Sequence, residues 1–360
     1  MFYKDTLMWK EISETPKLFE KIKKANTPVI QKLVKEIKGQ NATNFIAAAR
    51  GTSDHALIYF KYVLESNSPY TVGLAAPSVV TLYGGKPDYA HNVIIGCSQS
   101  GKAADVLEVL KLGNAQGAIT IAVTNDENSP MAKEAKFHLF CAAEEEKSVA
   151  ATKTFSAELY TLLWLAAELS ESKTLLGSVD SLTDKITTVF PKIDELTTVF
   201  ADKFNWMKSG FVLSRGITYA IALEATLKLQ ETCYIQMKGY AGSDFYHGPM
   251  AMVNDKTPVF IYCAKNTTSK TIADLVYADQ KKCIDKMLEL TAPVIVITND
   301  EKLAAEYKAA NVAYFDYDAG EDATMFAFAL FAQMLACKIS CSIGNNPDSP
   351  RALNKVTITK

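Results

Sequence analysis

The sequence predicts an α/β protein made of two successive parallel sheets, each covered by helices on both faces. Three observations lead to it. Apolar runs of four to six residues alternate with helical stretches along most of the chain, as strands buried on both faces of a parallel sheet do. The alternation runs through twice, and the second pass echoes the first. A chain of 360 residues also exceeds what one hydrophobic core commonly serves, so two domains are expected.

Taken in order, residues 7–40 read as helix with charged faces and a break at Pro16. Strand candidates follow at Phe45–Ala49, Tyr70–Leu74, Val93–Cys97, Ala118–Val123 and Phe137–Ala142. Helical stretches at Asp54–Leu64, Ser78–Tyr83 and Lys102–Leu112 separate the earlier ones, and Thr152–Leu169 closes the set as a long apolar helix. The second pass has strands at Gly210–Leu213, Val259–Cys263, Val294–Thr298 and Val312–Phe315, with helices at Tyr219–Thr232, 268–289 and 323–341. Arg50-Gly51-Thr52 is echoed by Arg215-Gly216-Ile217, and Val123-Thr124-Asn125-Asp126-Glu127 by Ile297-Thr298-Asn299-Asp300-Glu301. The echoes lie 165 and 174 residues apart, after equivalent strands and in the same order, as a duplication requires. The expected boundaries are 1–34 for an N-terminal helical segment, 35–175 for the first domain and 176–200 for a helical linker. The second domain is expected over 201–345 and a tail over 346–360.

Composition narrows the function classes. Apolar residues make up 48% and charged residues 22%, with a net charge of −2, which draws the chain neither to nucleic acid nor to an anionic membrane. Seven scattered cysteines, without a Cys-x-x-Cys pair, fit free thiols in a reducing compartment. The four histidines are far apart, so no metal motif is visible. Met1-Phe2-Tyr3-Lys4-Asp5 has no signal-peptide apolar region, and a cytoplasmic location is expected. The most apolar stretch, Ala323–Cys337, is too short to span a bilayer and reads as a core or subunit-interface helix.

The candidate site starts at Val93–Gly101, where a buried strand ends in Ser98-Gln99-Ser100-Gly101 and a helix follows. A helix N-terminus offers unpaired N–H groups and a positive dipole end. Two hydroxyls and an amide around it make a neutral cradle for an anion, most naturally a phosphate. No lysine makes it a P-loop, so a small phosphorylated metabolite is expected before a nucleoside triphosphate. Ligands in open α/β sheets sit beyond the carboxyl ends of the strands. Two more hydroxyl-bearing helix entrances belong to that edge, Arg50-Gly51-Thr52-Ser53 and the segment from Glu146 through Ser148-Val149-Ala150-Ala151-Thr152 to Lys153. The second half contributes acid–base groups. Lys228 and Glu231 share a helix face, a spacing that by itself is most simply a solvated pair. His247, before Gly248-Pro249 in a loop, suits proton transfer near neutrality. Lys355 lies in the tail, where a lysine is ordinarily a solvated charge.

Together these segments resemble the sugar isomerase (SIS) family over nearly the whole chain, as two tandem SIS domains. The resemblance implies three-layer α/β/α domains with a five-stranded parallel sheet in each. Within the family the arrangement looks like the isomerase half of the glutamine–fructose-6-phosphate amidotransferases. By that resemblance Gly51, Thr52, Ser53, Ser98, Gln99, Ser100, Glu146, Val149, Ala150 and Ala151 bind the sugar phosphate. Glu231 becomes the catalytic carboxylate, Lys228 its companion, His247 the ring-opening group donated across a homodimer interface, and Lys355 a tail lysine closing the site. Two positions depart from the family pattern. Ala103 and Ala151 stand where the amidotransferases carry hydroxyls.

No glutaminase segment or leading catalytic cysteine is found in the sequence, so synthesis of amino sugars from glutamine is not expected. The stand-alone SIS-type glucosamine-6-phosphate deaminases are the closer likeness. It rests on Arg50–Ala56, Ala76-Pro77-Ser78-Val79, Glu145–Lys153, Asn346-Pro347 and Lys355-Val356-Thr357. The implied reaction takes glucosamine 6-phosphate to fructose 6-phosphate and ammonia, without metal or organic cofactor. Fructosamine-6-phosphate deglycase and plain ketose/aldose phosphosugar isomerase are the nearest alternatives. A non-catalytic sugar-phosphate sensor would need neither Glu231 nor His247. It would usually carry a DNA-binding module, for which the N-terminal 40 residues are too short and insufficiently basic.

Overall fold

The computed structural model of the protein describes residues 1–355. The first sheet contains β1 (Asn44–Ala48), β2 (Thr71–Leu74), β3 (Val93–Ser98), β4 (Ile119–Thr124) and β5 (Phe137–Phe140). The second contains β6 (Ser209–Ser214), β7 (Gln236–Ala241), β8 (Val259–Cys263), β9 (Val294–Thr298) and β10 (Asn311–Tyr314). Every pairing is parallel. The orders are β2-β1-β3-β4-β5 and β10-β9-β8-β6-β7. Counted from its own first strand, the second sheet repeats the order of the first. Both are doubly wound, with the winding reversing between the first and third strands of each half.

The strands expected from apolar runs are present within a residue or two. β7 was not foreseen. Its sequence, Gln236-Met237-Lys238-Gly239-Tyr240-Ala241, buries only Met237 fully and pairs on one side alone, with β6. Its exposed Gln236 and Lys238 and half-buried Gly239 break the continuous apolar run that marks a strand buried on both faces. Residues 176–200, expected as a linker, lie within one continuous helix, Lys173–Phe204, which runs on through Pro191.

Contacts group the chain into two compact units. One contains the first sheet and comprises residues 14–147 and 151–180, with Asn354 and Lys355 among the described tail residues. The other contains the second sheet and comprises residues 1–13, 148–150 and 181–353. The first unit packs Ile94 and Ala122 of its sheet against Val106, Val109, Leu110 and Met131. The second packs Phe211, Leu213, Ile261 and Val296 against Ile284 and Met287. The chain's N-terminus folds with the second unit because Asp348 caps its helix, accepting from the amides of Leu7 at 2.9 Å and Met8 at 2.8 Å.

Among the described residues one helix, Glu321–Ser342, is long and apolar enough to cross a membrane, but its apolar window is wholly buried inside the protein. It is a core helix, apolar on every side because every side is covered. All seven cysteines are free and buried.

The duplication extends to side-chain detail. Gly51 and Gly216, each following the first strand of its half, adopt positive φ of 55° and 69°. The preceding arginines make the same bridge, Arg50 to Asp105 at 2.7 Å and Arg215 to Asp279 at 2.5 Å, each aspartate lying on the helix after the third strand. After the fourth strands, the Thr124 and Thr298 hydroxyls accept from the amides of Asp126 at 3.3 Å and Asp300 at 3.0 Å. These shared turns give the sequence echoes a structural cause.

Candidate active site

In the first unit, β1 and β3 are neighbours, so their carboxyl ends place Gly51-Thr52-Ser53 beside Ser98-Gln99-Ser100 at the point where the winding reverses. Gly51 is the N-cap of the Thr52–Asn67 helix. Its φ of 55° is a region that an L side chain seldom enters. Ser53 is turned inward, donating its hydroxyl to the buried Glu158 at 2.8 Å. Ser98, Gln99 and Ser100 are half-buried. The Ser98 carbonyl accepts from Gly101 N at 3.1 Å and the Gln99 carbonyl from Asn125 N at 2.9 Å, so the backbone is fixed at both ends. Among the described residues the Ser98 hydroxyl and the Gln99 amide have no partner, which leaves both for a ligand.

Gly101 makes the tight turn possible. A Cβ there would lie 2.2 Å from Ser129 Oγ, and φ is +62°. The helix that follows, Ala104–Ala115, has Ala103 as N-cap and no side-chain cap. The hydroxyl missing at position 103 therefore leaves the N-terminus of this helix without a side-chain acceptor.

The third loop is organised by Glu146. Its Oε1 accepts from the Thr152 and Thr154 amides at 2.9 and 3.2 Å and from the Thr152 hydroxyl at 3.3 Å. Its Oε2 accepts from the Thr154 hydroxyl at 2.7 Å and from Lys355 Nζ at 2.8 Å. These bonds use the whole acceptor capacity of a carboxylate. Burial alone would raise the pKa of Glu146, but the Lys355 charge and the donated hydrogen bonds outweigh it and hold the carboxyl below its ordinary value. Glu146 thus caps the Lys153–Ser170 helix and anchors the tail lysine, tasks that leave no oxygen for a substrate. Ser148, Val149 and Ala150 belong to the second unit. There the Ser148 amide donates to Glu11 at 3.2 Å and the Val149 amide to the Asp348 carbonyl at 3.1 Å. Ala150 is buried and Ala151 half-buried.

The second unit contains the acid–base groups. Lys228 has no exposed surface. It donates to Glu231 Oε2 at 2.6 Å and pairs with Glu224 Oε1 at 3.3 Å. Glu224, Lys228 and Glu231 occupy one face of the Tyr219–Cys233 helix. Burial opposes the lysine's charge, but the two carboxylates prevail and raise its pKa above the ordinary value. Glu224 is fully buried, whereas the Glu231 side chain keeps 23% of its surface. Among the described residues Glu231 Oε1 has no partner. A carboxylate anchored through one oxygen and open at the other is equipped to move a proton. Burial thus rules out the solvated pair that the spacing alone suggested.

His247 lies between the Gly242–Phe245 helix and the Pro249–Met252 turn, with its backbone amide donating to Asp244 O at 3.1 Å. Its side chain is exposed beside a cavity of about 370 Å³ that Tyr246, Met250 and Leu290 help to line. Among the described residues its ring has no partner. The structure therefore joins Lys228 to Glu231 and Lys355 to Glu146, and leaves His247 unengaged. Sequence reading missed two residues. Glu224 had a signal, its place one helical turn before Lys228. Glu158 had none, because its partner Ser53 is 105 residues away. Among the described residues no group of three His, Cys, Asp or Glu side chains is arranged to hold a metal ion.

Comparison with known proteins places this geometry. Residues 40–168 and 206–342 each match the SIS domain, one match per sheet. The chain belongs to the SIS domain family. This SIS protein is 31% identical over 358 residues to glutamine–fructose-6-phosphate aminotransferase [isomerizing] of Aquifex aeolicus. The alignment covers 98% of the chain but 57% of that relative, so the chain spans little more than half its length. Among solved structures, the C-terminal domain of glucosamine-fructose-6-phosphate aminotransferase from Francisella tularensis superposes with a TM-score of 0.81 at 22% identity. That match covers 96% of this chain and 99% of the other. Glucosamine-6-phosphate deaminase from Thermotoga maritima gives 0.76 at 20% identity, covering 98% and 100%. At these identities the superpositions show a shared fold, tandem SIS domains.

Proposed function

We propose that this SIS protein is a phosphosugar isomerase that works as a deaminase, converting glucosamine 6-phosphate to fructose 6-phosphate and ammonia. The observation that carries the reading is Glu231, anchored by the buried Lys228 and open at its second oxygen. The aminotransferase relationship supports phosphosugar isomerisation, and the resemblance of Arg50–Ala56 and Glu145–Lys153 to stand-alone deaminases supports the loss of ammonia.

In this reading Ser98, Gln99 and Ser100 hold the phosphate, with the Ala104–Ala115 helix N-terminus behind them. Gly51, Thr52, Val149, Ala150 and Ala151 contact the sugar, while Ser53 and Glu146 act by fixing their loops. His247 moves a proton from the O1 hydroxyl to O5 as the ring opens to the aldehyde. Glu231 then removes the C2 proton, giving an enolamine, and returns it to C1. The Lys228 charge stabilises the negative charge that develops. Water adds to the resulting C2 imine, and the carbinolamine expels ammonia, leaving the ketose. Lys355 closes the site over the open-chain sugar. We further propose a soluble cytoplasmic homodimer in which each His247 serves its neighbour. An exposed, unpartnered imidazole within one chain supports that arrangement.

The test is an assay of ammonia and product with glucosamine, galactosamine and fructosamine 6-phosphates. Glucosamine 6-phosphate should yield ammonia and fructose 6-phosphate. Glu231→Gln should reduce turnover by about a hundredfold or more, the usual weight of a general base. Undiminished turnover in that variant would overturn the assignment. Isomerised product without ammonia would make the protein a plain ketose/aldose isomerase.

A further inference from the structure

The second sheet has the same strand order as the first, so it has its own reversal of winding, between β6 and β8. A cavity of about 390 Å³ lies there, within the usual size range of small-ligand sites. None of the proposed catalytic groups lines it. Arg215, from the loop after β6, meets Asp279 and Gln280 of the Lys270–Glu289 helix and Glu321, which opens the last helix. Leu275 and Val276 supply an apolar wall.

The charges select the ligand. The Arg215 guanidinium is already matched by Asp279 at 2.5 Å. Glu321 adds a second carboxyl, held by the side-chain amide of Asn266. The lining therefore has no net positive charge, and its balance is neutral to negative. Gln280 is fixed by donating to the Ala264 carbonyl at 2.8 Å. A carboxyl, a guanidinium, an amide and an aliphatic wall lining one cavity suit a small ring bearing hydroxyls and an ammonium group. Burial raises the pKa of Glu321 to about 7, and a bound ammonium would hold its carboxyl in the charged form.

We propose that this cavity of the second SIS domain is a separate binding site for an unphosphorylated polyhydroxylated amine of the amino-sugar class. The two domains then divide their ligands by charge. The first meets phosphate with hydroxyls, an amide and a helix N-terminus, and the second meets an ammonium with carboxyls. The site stands on its own lining and does not depend on the reaction assigned to Glu231.

The test is calorimetric titration of the full chain with D-glucosamine, with N-acetylglucosamine as the probe lacking the positive charge. Glucosamine should bind and N-acetylglucosamine should bind at least about tenfold more weakly, a difference of about 1.4 kcal/mol. Glu321→Gln should weaken glucosamine at least tenfold, whereas the paired Ser98→Ala and Ser100→Ala changes should leave it unaltered. Leu275 lines the cavity and is 66% exposed, so Leu275→Lys adds a cation to the lining with little risk to folding and should also weaken binding. The proposal falls if glucosamine fails to bind at about 10 mM, a limit of weak association. It also falls if the serine changes abolish binding, if the two Glu321 and Leu275 variants bind normally, or if inorganic phosphate displaces glucosamine in the serine variant.

Discussion

A lysine with no exposed surface survives at position 228 because it sits between two carboxylates. Removing the lysine alone strands Glu224, which is itself fully buried. Lys228→Met should therefore cost about 3–5 kcal/mol in urea unfolding, and the double variant Lys228→Met/Glu224→Leu should recover most of that loss. The folded-state pKa of Lys228 is raised, so its stabilising contribution is fully present below the unfolded value near 10.4. It is lost only as pH climbs through the higher folded value, and this group should give no slope between about pH 6 and 9. Glu146 has the opposite sign. Its folded pKa is depressed, so its contribution is present above the unfolded value near 4.3 and is lost as pH falls through the folded one. Glu146→Gln should lower stability at neutral pH and flatten the loss below about pH 4, as urea midpoints across that range would reveal.

At the scale of elements, the turn from β3 into its helix is decided by Gly101. Alanine there needs a left-handed backbone and collides with Ser129. Gly101→Ala should cost about 1–3 kcal/mol through displacement of the turn. If the turn holds the phosphate, KM should rise about tenfold with kcat less affected, which steady-state kinetics on glucosamine 6-phosphate will measure. The same scale shows where sequence reading succeeds. Strands β1, β3, β4, β6, β8 and β9 are paired on both sides, and their apolar runs mark them. β7 pairs on one side, carries Lys238 and Gly239, and has no such run. The Glu321–Ser342 helix could be recognised by composition as a helix, but the cover on all its sides comes from packing.

At the scale of the whole molecule, duplication explains both the likeness and the difference of the two halves. The Arg50–Asp105 and Arg215–Asp279 bridges keep the same frame, while the second half adds Glu321 to the cavity beside Arg215. The proposed dimer makes a prediction at this scale. Mixing inactive Glu231→Gln and His247→Ala proteins under subunit exchange should restore about a quarter of wild-type activity, because half of the dimers then contain one intact site of two. No recovery would place His247 with the Glu231 of its own chain.

The sequence by itself determined the α/β class, the duplication and which loops lie at strand ends. Those features follow from side-chain periodicity and from local turn chemistry, both written within a few residues. It also singled out Lys228, Glu231, His247 and Lys355 as candidates, though their chemistry rested on resemblance. Only the tertiary structure decided that Lys228 is buried between Glu224 and Glu231, that Ser53 turns inward to Glu158, and that Glu146 is spent on a helix cap and on Lys355. The reason is physical. Burial and the pairing of distant charges depend on what other segments bring to a residue, and no local pattern records that.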